Sequence, residues 1–280
     1  NPFDPIHAKG IRRDRAKVFA QARSQMMSIL EVKGLTIRFG GLTAVDTLNF
    51  KVEEGTIHGL IGPNGAGKTT TFNMISGFYA PSAGEILFRG ERISGLPMHE
   101  VARRGVVRTC QHSTLFAELS VLDNALVGTH MSFRPNIFAA IFGRDRENRR
   151  RAEQRAREVL EFFGLADLSN ERAGDLSHGH QRALGMAVAY ASHPDVILLD
   201  EPFTGMNPEE TEQMMGLMER LRAGGLTILL VEHDMRAVMG LCDRITCMSF
   251  GRLLAEGGPA EIRNHPGVIE AYLGGARHVA

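Results

Sequence analysis

The chain is 280 residues long and carries 32 Lys plus Arg against 32 Asp plus Glu, so its formal net charge is zero. That length suits one large α/β domain or two small ones, and the balanced charge implies neither nucleic acid nor an anionic membrane surface as a partner. No apolar run approaches the roughly 18 residues that a membrane span needs. The 3 cysteines make no disulfide framework and suit a reducing compartment. Cys242 and Cys247 read as buried thiols rather than metal ligands, because no Cys/His partner set accompanies them.

Residues 1–28 stand apart. Arg12, Arg13, Arg15, Lys17 and Arg23 make them basic, and they lack the apolar centre of a secretory signal. A poorly ordered or helical extension is expected there. Strands follow at 29–39 and 48–52, around the turn Gly40-Gly41, and another at 85–89 after a turn at 81–84. Together they predict a small antiparallel layer beside a buried strand at 56–61. A helix is expected at 97–104, opened by proline, and a helical region from about 121 to 165. Within it, 145–161 is dense in Arg, Glu and Ala. It reads as a solvated helix face with i,i+4 pairs rather than a nucleic-acid patch. Continuous apolar runs at 195–200 and 227–231 predict parallel strands covered on both faces. Helices at 208–222 and 236–241 lie between and after them.

The most informative stretch is Gly62-Pro63-Asn64-Gly65-Ala66-Gly67-Lys68-Thr69-Thr70. Its glycines let backbone N–H groups close around phosphates, which points to a nucleoside triphosphate. Lys68 is placed to reach the β- and γ-phosphates, and the Thr69 hydroxyl to ligate Mg²⁺. Asn64, Gly65, Ala66, Gly67 and Thr70 complete the cradle. A strand enters this loop and a helix at 69–76, stopped by Gly77, leaves it, so the helix N-terminus faces the phosphates. Further on, Val196-Ile197-Leu198-Leu199-Asp200-Glu201 ends an apolar strand in two carboxylates, on the edge where ligands of open α/β sheets bind. Asp200 suits a Mg²⁺ ligand and Glu201 a general base for an attacking water.

Leu176-Ser177-His178-Gly179-His180-Gln181-Arg182 resembles the LSGGQ signature of ABC ATPases. The resemblance covers residues 29 to 275, and several motifs are similar to those of the LivG-like ATP-binding subunits of branched-chain amino-acid importers. These are Arg38-Phe39-Gly40-Gly41, Gly105-Val106-Val107-Arg108-Thr109, Gly205-Met206-Asn207-Pro208, Val231-Glu232-His233-Asp234-Met235, and the tail from Pro259 to Gly274. His178 and His180 depart from the subfamily's usual signature, and Gly185 from its usual helix.

The resemblance implies an α/β fold: a RecA-like P-loop core with an antiparallel β subdomain and an α-helical subdomain. The ATPase domain would span 29–250, its helical subdomain about 113–191, and a tail over 251–280 would pack on it. The resemblance also implies site roles. Phe39 stacks on adenine, and Gln111 approaches Mg²⁺ and the attacking water. Ser177 and Gly179 contact the γ-phosphate of ATP on the other subunit, and His233 is the switch histidine. Catalytic roles fall to Glu201, His233, Gln111 and Lys68, and metal ligation to Thr69, Gln111 and Asp200. Implied partners are two transmembrane permeases, a sibling ATPase or a second copy in an ATP-sandwich dimer, and indirectly an extracytoplasmic solute-binding protein. The implied place is the cytoplasmic face of the inner membrane. Alternatives are a lipid- or lipopolysaccharide-extraction ATPase and a soluble ABC ATPase outside transport.

Overall fold

The computed structural model describes residues 28–109, 115–130 and 145–274. The expectations placed on the basic N-terminal extension and on Gln111 lie outside these residues.

Two sheets organise the molecule. Strands β1 (Ser28–Phe39), β2 (Leu42–Glu53), β4 (Ala83–Phe88) and β5 (Glu91–Arg92) form an antiparallel sheet in the order β2-β1-β4-β5. The second sheet runs β10-β9-β3-β8-β7-β6, built from β3 (Ile57–Ile61), β6 (Val106–Arg108), β7 (Val196–Asp200), β8 (Thr227–Val231), β9 (Arg244–Ser249) and β10 (Arg252–Gly257). All its neighbours pair parallel except β10, which returns antiparallel on β9.

The apolar runs in the second sheet exist because both faces are covered. Ile57, Ile61, Ile197, Leu199, Ile228 and Leu230 face a core shared with the helices. Their strand neighbours Leu60, Leu198, Leu229 and Val231 face the antiparallel sheet and helix α1 (Lys68–Ile75), whose Phe72, Met74 and Ile75 fill the space between. Period-2 alternation inside an unbroken apolar run is what a two-faced strand requires.

Helices α3 (Val121–Thr129), α4 (Asp145–Phe162) and α5 (His178–Ala191) pack together on the helical face, after α2 (Met98–Arg103). Helix α3 meets α5 closely: a Cβ on Gly128 would lie 2.1 Å from the Val188 carbonyl oxygen, so only glycine fits. Helix α4 buries Val159 and Leu160, each worth about 1.5–3 kcal/mol. Its outer face carries the expected i,i+4 pairs, Arg151 to Glu147 and Arg157 to Glu153. One arginine turns inward: Arg155 donates to the Tyr190 carbonyl at 3.2 Å and lies over its ring. Helices α6 (Pro208–Ala223) and α7 (Met235–Leu241) flank β8, and α8 (Pro259–Arg263) and α9 (Pro266–Gly274) end the described chain.

Three differences from the sequence expectation have physical reasons. Strand β2 begins at Leu42 rather than 48, because Thr43 is polar yet pairs with Arg38 of β1 across an irregular register, and polar Asp46 donates its N–H to the Gly251 carbonyl of the turn after β9. Strand β4 stops at Phe88 because Arg89 takes φ 49° in a tight turn with Gly90. Strand β6 spans 3 residues, too short for periodicity to show.

Candidate nucleotide site

Strands β3, β8 and β7 lie in register, with Leu60 beside Val231 and Val231 beside Asp200. Their carboxyl ends therefore deliver the loop after Ile61, the segment Glu232-His233 and the pair Asp200-Glu201 to one edge.

Gly62 opens the first of these loops in a conformation closed to other residues. Its φ is 149°, and a Cβ there would sit 2.2 Å from the Met248 carbonyl oxygen. Its N–H donates to the Tyr272 hydroxyl at 2.9 Å, while its carbonyl accepts from Lys68 Nζ at 2.7 Å. Burial pushes the Tyr272 phenol up to about 12, so it stays protonated. Gly65 and Gly67 also hold positive φ, and Gly67 ends the loop as the N-cap of α1 without a side-chain bond to the helix. The N–H groups of the first turn are thus left for an anion. Asn64, Gly65 and Thr69 are exposed, while Ala66 and Lys68 are buried. Burial lowers the Lys68 pKa, with Glu201 and Asp200 pulling the other way, which places both carboxylates in its field.

Asp200 is buried, and its Oδ2 accepts from Arg108 Nη2 at 2.7 Å. Arg108 also donates to Asn73 on α1 and lies over the Phe72 ring. Burial raises the Asp200 pKa, and Arg108 opposes that rise. The second oxygen, Oδ1, is buried with no partner among the described residues. An unsatisfied carboxylate oxygen in that position fits a hard cation.

Glu201 takes φ 50°, a left-handed conformation that costs a non-glycine residue about 1–2 kcal/mol. Its N–H donates to the Val231 carbonyl at 2.9 Å, which ties the turn to β8. Its Oε1 lies 4.0 Å from His233 Nδ1. The imidazole is largely exposed, at 61 %, and so is free to meet a ligand.

The remaining predicted residues sit elsewhere. Phe39 ends β1, 44 % exposed, edge-on to Tyr79 at 5.3 Å. Ser177 caps α5, accepting from the His180 N–H at 3.3 Å. Gly179 abuts α6, where a Cβ would lie 2.8 Å from Glu210 Oε1. Glu210 in turn closes a capping box with Asn207. The structure thus brings Lys68, Asp200, Glu201 and His233 together and sets Ser177 and Gly179 at the start of a helix in the other layer. Cys242 and Cys247 are buried thiols, pushed by burial to about 12 and about 11.

Sequence reasoning gave no role to Arg108, Glu232 or Tyr272. Two had a visible signal: a charge inside or directly after a buried strand needs a partner.

Comparison with known proteins agrees with this geometry. A family model described as "ABC transporter" matches residues 45–204, and one described as "Branched-chain amino acid ATP-binding cassette transporter" matches residues 252–278. The high-affinity branched-chain amino acid transport ATP-binding protein BraF of Pseudomonas aeruginosa is 47% identical, covering 89% of this chain and 98% of its own. LivG of Escherichia coli, with the same description, is 45% identical over the same shares. The lipopolysaccharide export system ATP-binding protein LptB of Escherichia coli is lower, at 37%, over 89% and 98%. A crystal structure of a nucleotide-free ATP-binding cassette from an ABC transporter superposes with a TM-score of 0.78 at 30% identity, covering 88% of this chain and 99% of that one. With these matches on a P-loop sheet edge of this form, the chain belongs to the ABC transporter family, as one of its ATP-binding, ATP-hydrolysing cassettes.

Proposed function

We propose that this cassette powers an importer of branched-chain amino acids or related small solutes, bound to two transmembrane permeases at the cytoplasmic face of the inner membrane. What carries the reading is the convergence of Lys68, Asp200, Glu201 and His233 on one sheet edge, in a chain whose residues 252–278 match the branched-chain cassette family. The higher identity to BraF and LivG than to LptB favours import over lipopolysaccharide export. The division proposed is an ATPase domain at 29–250, with its helical subdomain at about 113–191, and a tail at 251–280.

In this reading two cassettes, this chain with a sibling or a second copy, close on two ATP molecules. Phe39 stacks on adenine through apolar and π contact. Asn64, Gly65, Ala66, Gly67, Thr69 and Thr70 wrap the phosphates with N–H groups, and Ser177 and Gly179 reach the γ-phosphate held by the facing cassette. Lys68 leaves two loop carbonyls, those of Gly62 and Pro63, for charged phosphate oxygens, which are stronger acceptors. Glu201 draws a proton from the attacking water, and His233 contacts the γ-phosphate. Mg²⁺ is the implied cofactor. Its holders would be the exposed Thr69 hydroxyl, the unpartnered Oδ1 of Asp200, and Gln111. Bound there, it offsets charge on the β- and γ-phosphates.

A cleft of about 440 Å³ supports permease docking. It is lined by Met98, Arg108, Val127, Gly185 and Asp200, and Thr109 on its wall leads into the Gln111 segment. Closure on ATP would move these walls and be felt by a partner seated there.

Two measurements test the proposal. Affinity purification from native membranes in mild detergent is expected to recover two permeases and a sibling ATPase. Recovery of lipid-export partners or ribosomes overturns the importer reading. Lys68→Ala is expected to lower ATP turnover by about 10²–10³-fold, the loss typical of one preorganised donor to developing charge. Wild-type turnover in that variant overturns the site.

A further inference from the structure

Glu232 is 1 % exposed, and its carboxylate is spent on backbone. Its Oε1 accepts from the Phe203 N–H at 3.0 Å, and its Oε2 from the N–H groups of His233 at 2.8 Å and Asp234 at 3.1 Å. The first donor belongs to the loop after β7 and the other two to the loop after β8. One side chain therefore spans the two loops that present Glu201 and His233.

The neighbouring bonds show what this span restrains. Glu201 stands in a left-handed turn that its own side chain does not favour. Its N–H is fastened to the Val231 carbonyl, the residue before Glu232, and Phe203 two positions on is fastened to Glu232 itself. The strained turn is thus stapled to β8 at both ends. On the other side, His233 lies between the Glu232 bond and Asp234, whose Oδ1 caps α7 by accepting from Arg236 and Ala237. His233 Nδ1 is also 3.6 Å from Glu232 Oε2, so the same oxygen that holds its backbone lies beside its ring. A carboxylate is needed at this point because all three partners are donors. An amide would set N–H₂ against N–H on one of the two loops.

We propose that Glu232 is a positioning residue that holds Glu201 and His233 in one frame, fixing the 4.0 Å offset between general base and γ-phosphate contact. The inference rests on the roles given above to those two residues. The Glu232 carboxylate is spent on backbone N–H groups, so it acts through the residues it holds. The phosphate cradle belongs to β3 and α1 and is independent of it. Loss of the clamp is therefore felt far more in turnover than in nucleotide affinity, most of which the cradle supplies.

The test is Glu232→Gln in the full chain, read by turnover at saturating ATP, by affinity for a fluorescent ATP analogue and by thermal unfolding without nucleotide. Turnover is expected to fall on the order of 10²-fold, the effect of misplacing a catalytic group by about 1 Å. Affinity is expected to stay within about twofold, by the same separation of cradle and clamp. Wild-type turnover overturns the proposal, and so does a parallel loss of turnover, affinity and unfolding temperature, which marks a role in folding alone. Glu232→Asp keeps the charge but shortens the reach, and supplies the same readings if the glutamine variant is insoluble. Glu201→Gln separates the two levels. If it retains wild-type turnover, the base assignment fails. If it is inactive while Glu232→Gln turns over normally, only the clamp fails.

Discussion

The carboxyl edge of the parallel sheet and the helical layer on its face are held together by different physics. At the edge, single atoms carry the structure: the Gly62 N–H and carbonyl, the Oδ2 of Asp200 and the two carboxylate oxygens of Glu232. In the helical layer, Leu160, Leu184 and Ala187 are buried by apolar contact, and polar pairs such as Arg151–Glu147 sit on the outer surface. Exposed pairs of that kind contribute little, whereas a buried polar atom without its partner is expensive. The edge is therefore intolerant of change in kind, and the helical layer of change in volume.

Substitutions can sharpen that contrast. The largest effect is expected at Gly62, where a Cβ would meet the Met248 carbonyl oxygen at 2.2 Å. Gly62→Ala should cost about 4 kcal/mol, from overpacking and a glycine-only backbone together, and should abolish nucleotide binding in whatever protein folds. Calorimetric unfolding and nucleotide titration check both parts. Next comes Leu184→Ala in α5, a fully buried residue, at about 3 kcal/mol of stability. Here ATP affinity should hold, and a matching loss of affinity would break the separation between the two regions. The smallest effect has the opposite sign. Gly185 lies inside α5 with nothing within 4 Å of an added Cβ. Gly185→Ala should stabilise by about 1 kcal/mol, the helix-propensity difference, visible as a rise of a few degrees in the unfolding temperature.

How far the sequence spoke depended on the range of the interaction. Gly62 to Thr70 was legible because phosphate binding needs those residue types within one turn of chain. Asp200 and Glu201 were legible because an apolar strand ends on them. The two-faced strands β7 and β8 showed in their unbroken apolar runs, and the solvated face of α4 in its i,i+4 charges. Arg108 was not legible as the partner of Asp200, because 92 positions separate them and only the pairing of β6 with β7 brings them together. Glu232 stood in a recognised motif, yet its partner Phe203 lies 29 positions away and offers only a backbone N–H, which has no residue signature. The β9–β10 hairpin hid behind a turn at Phe250-Gly251, where a bulky aromatic takes φ 47° against its ordinary preference.

The bond between the Gly62 N–H and the Tyr272 hydroxyl joins positions 210 apart. During synthesis at about 5–20 residues per second, the phosphate loop is made some 10–40 seconds before the phenol that fastens it. The loop's final fastening thus waits for the making of α9. A cassette truncated before α9 would carry every residue of the phosphate motif and still lack the acceptor for its first N–H.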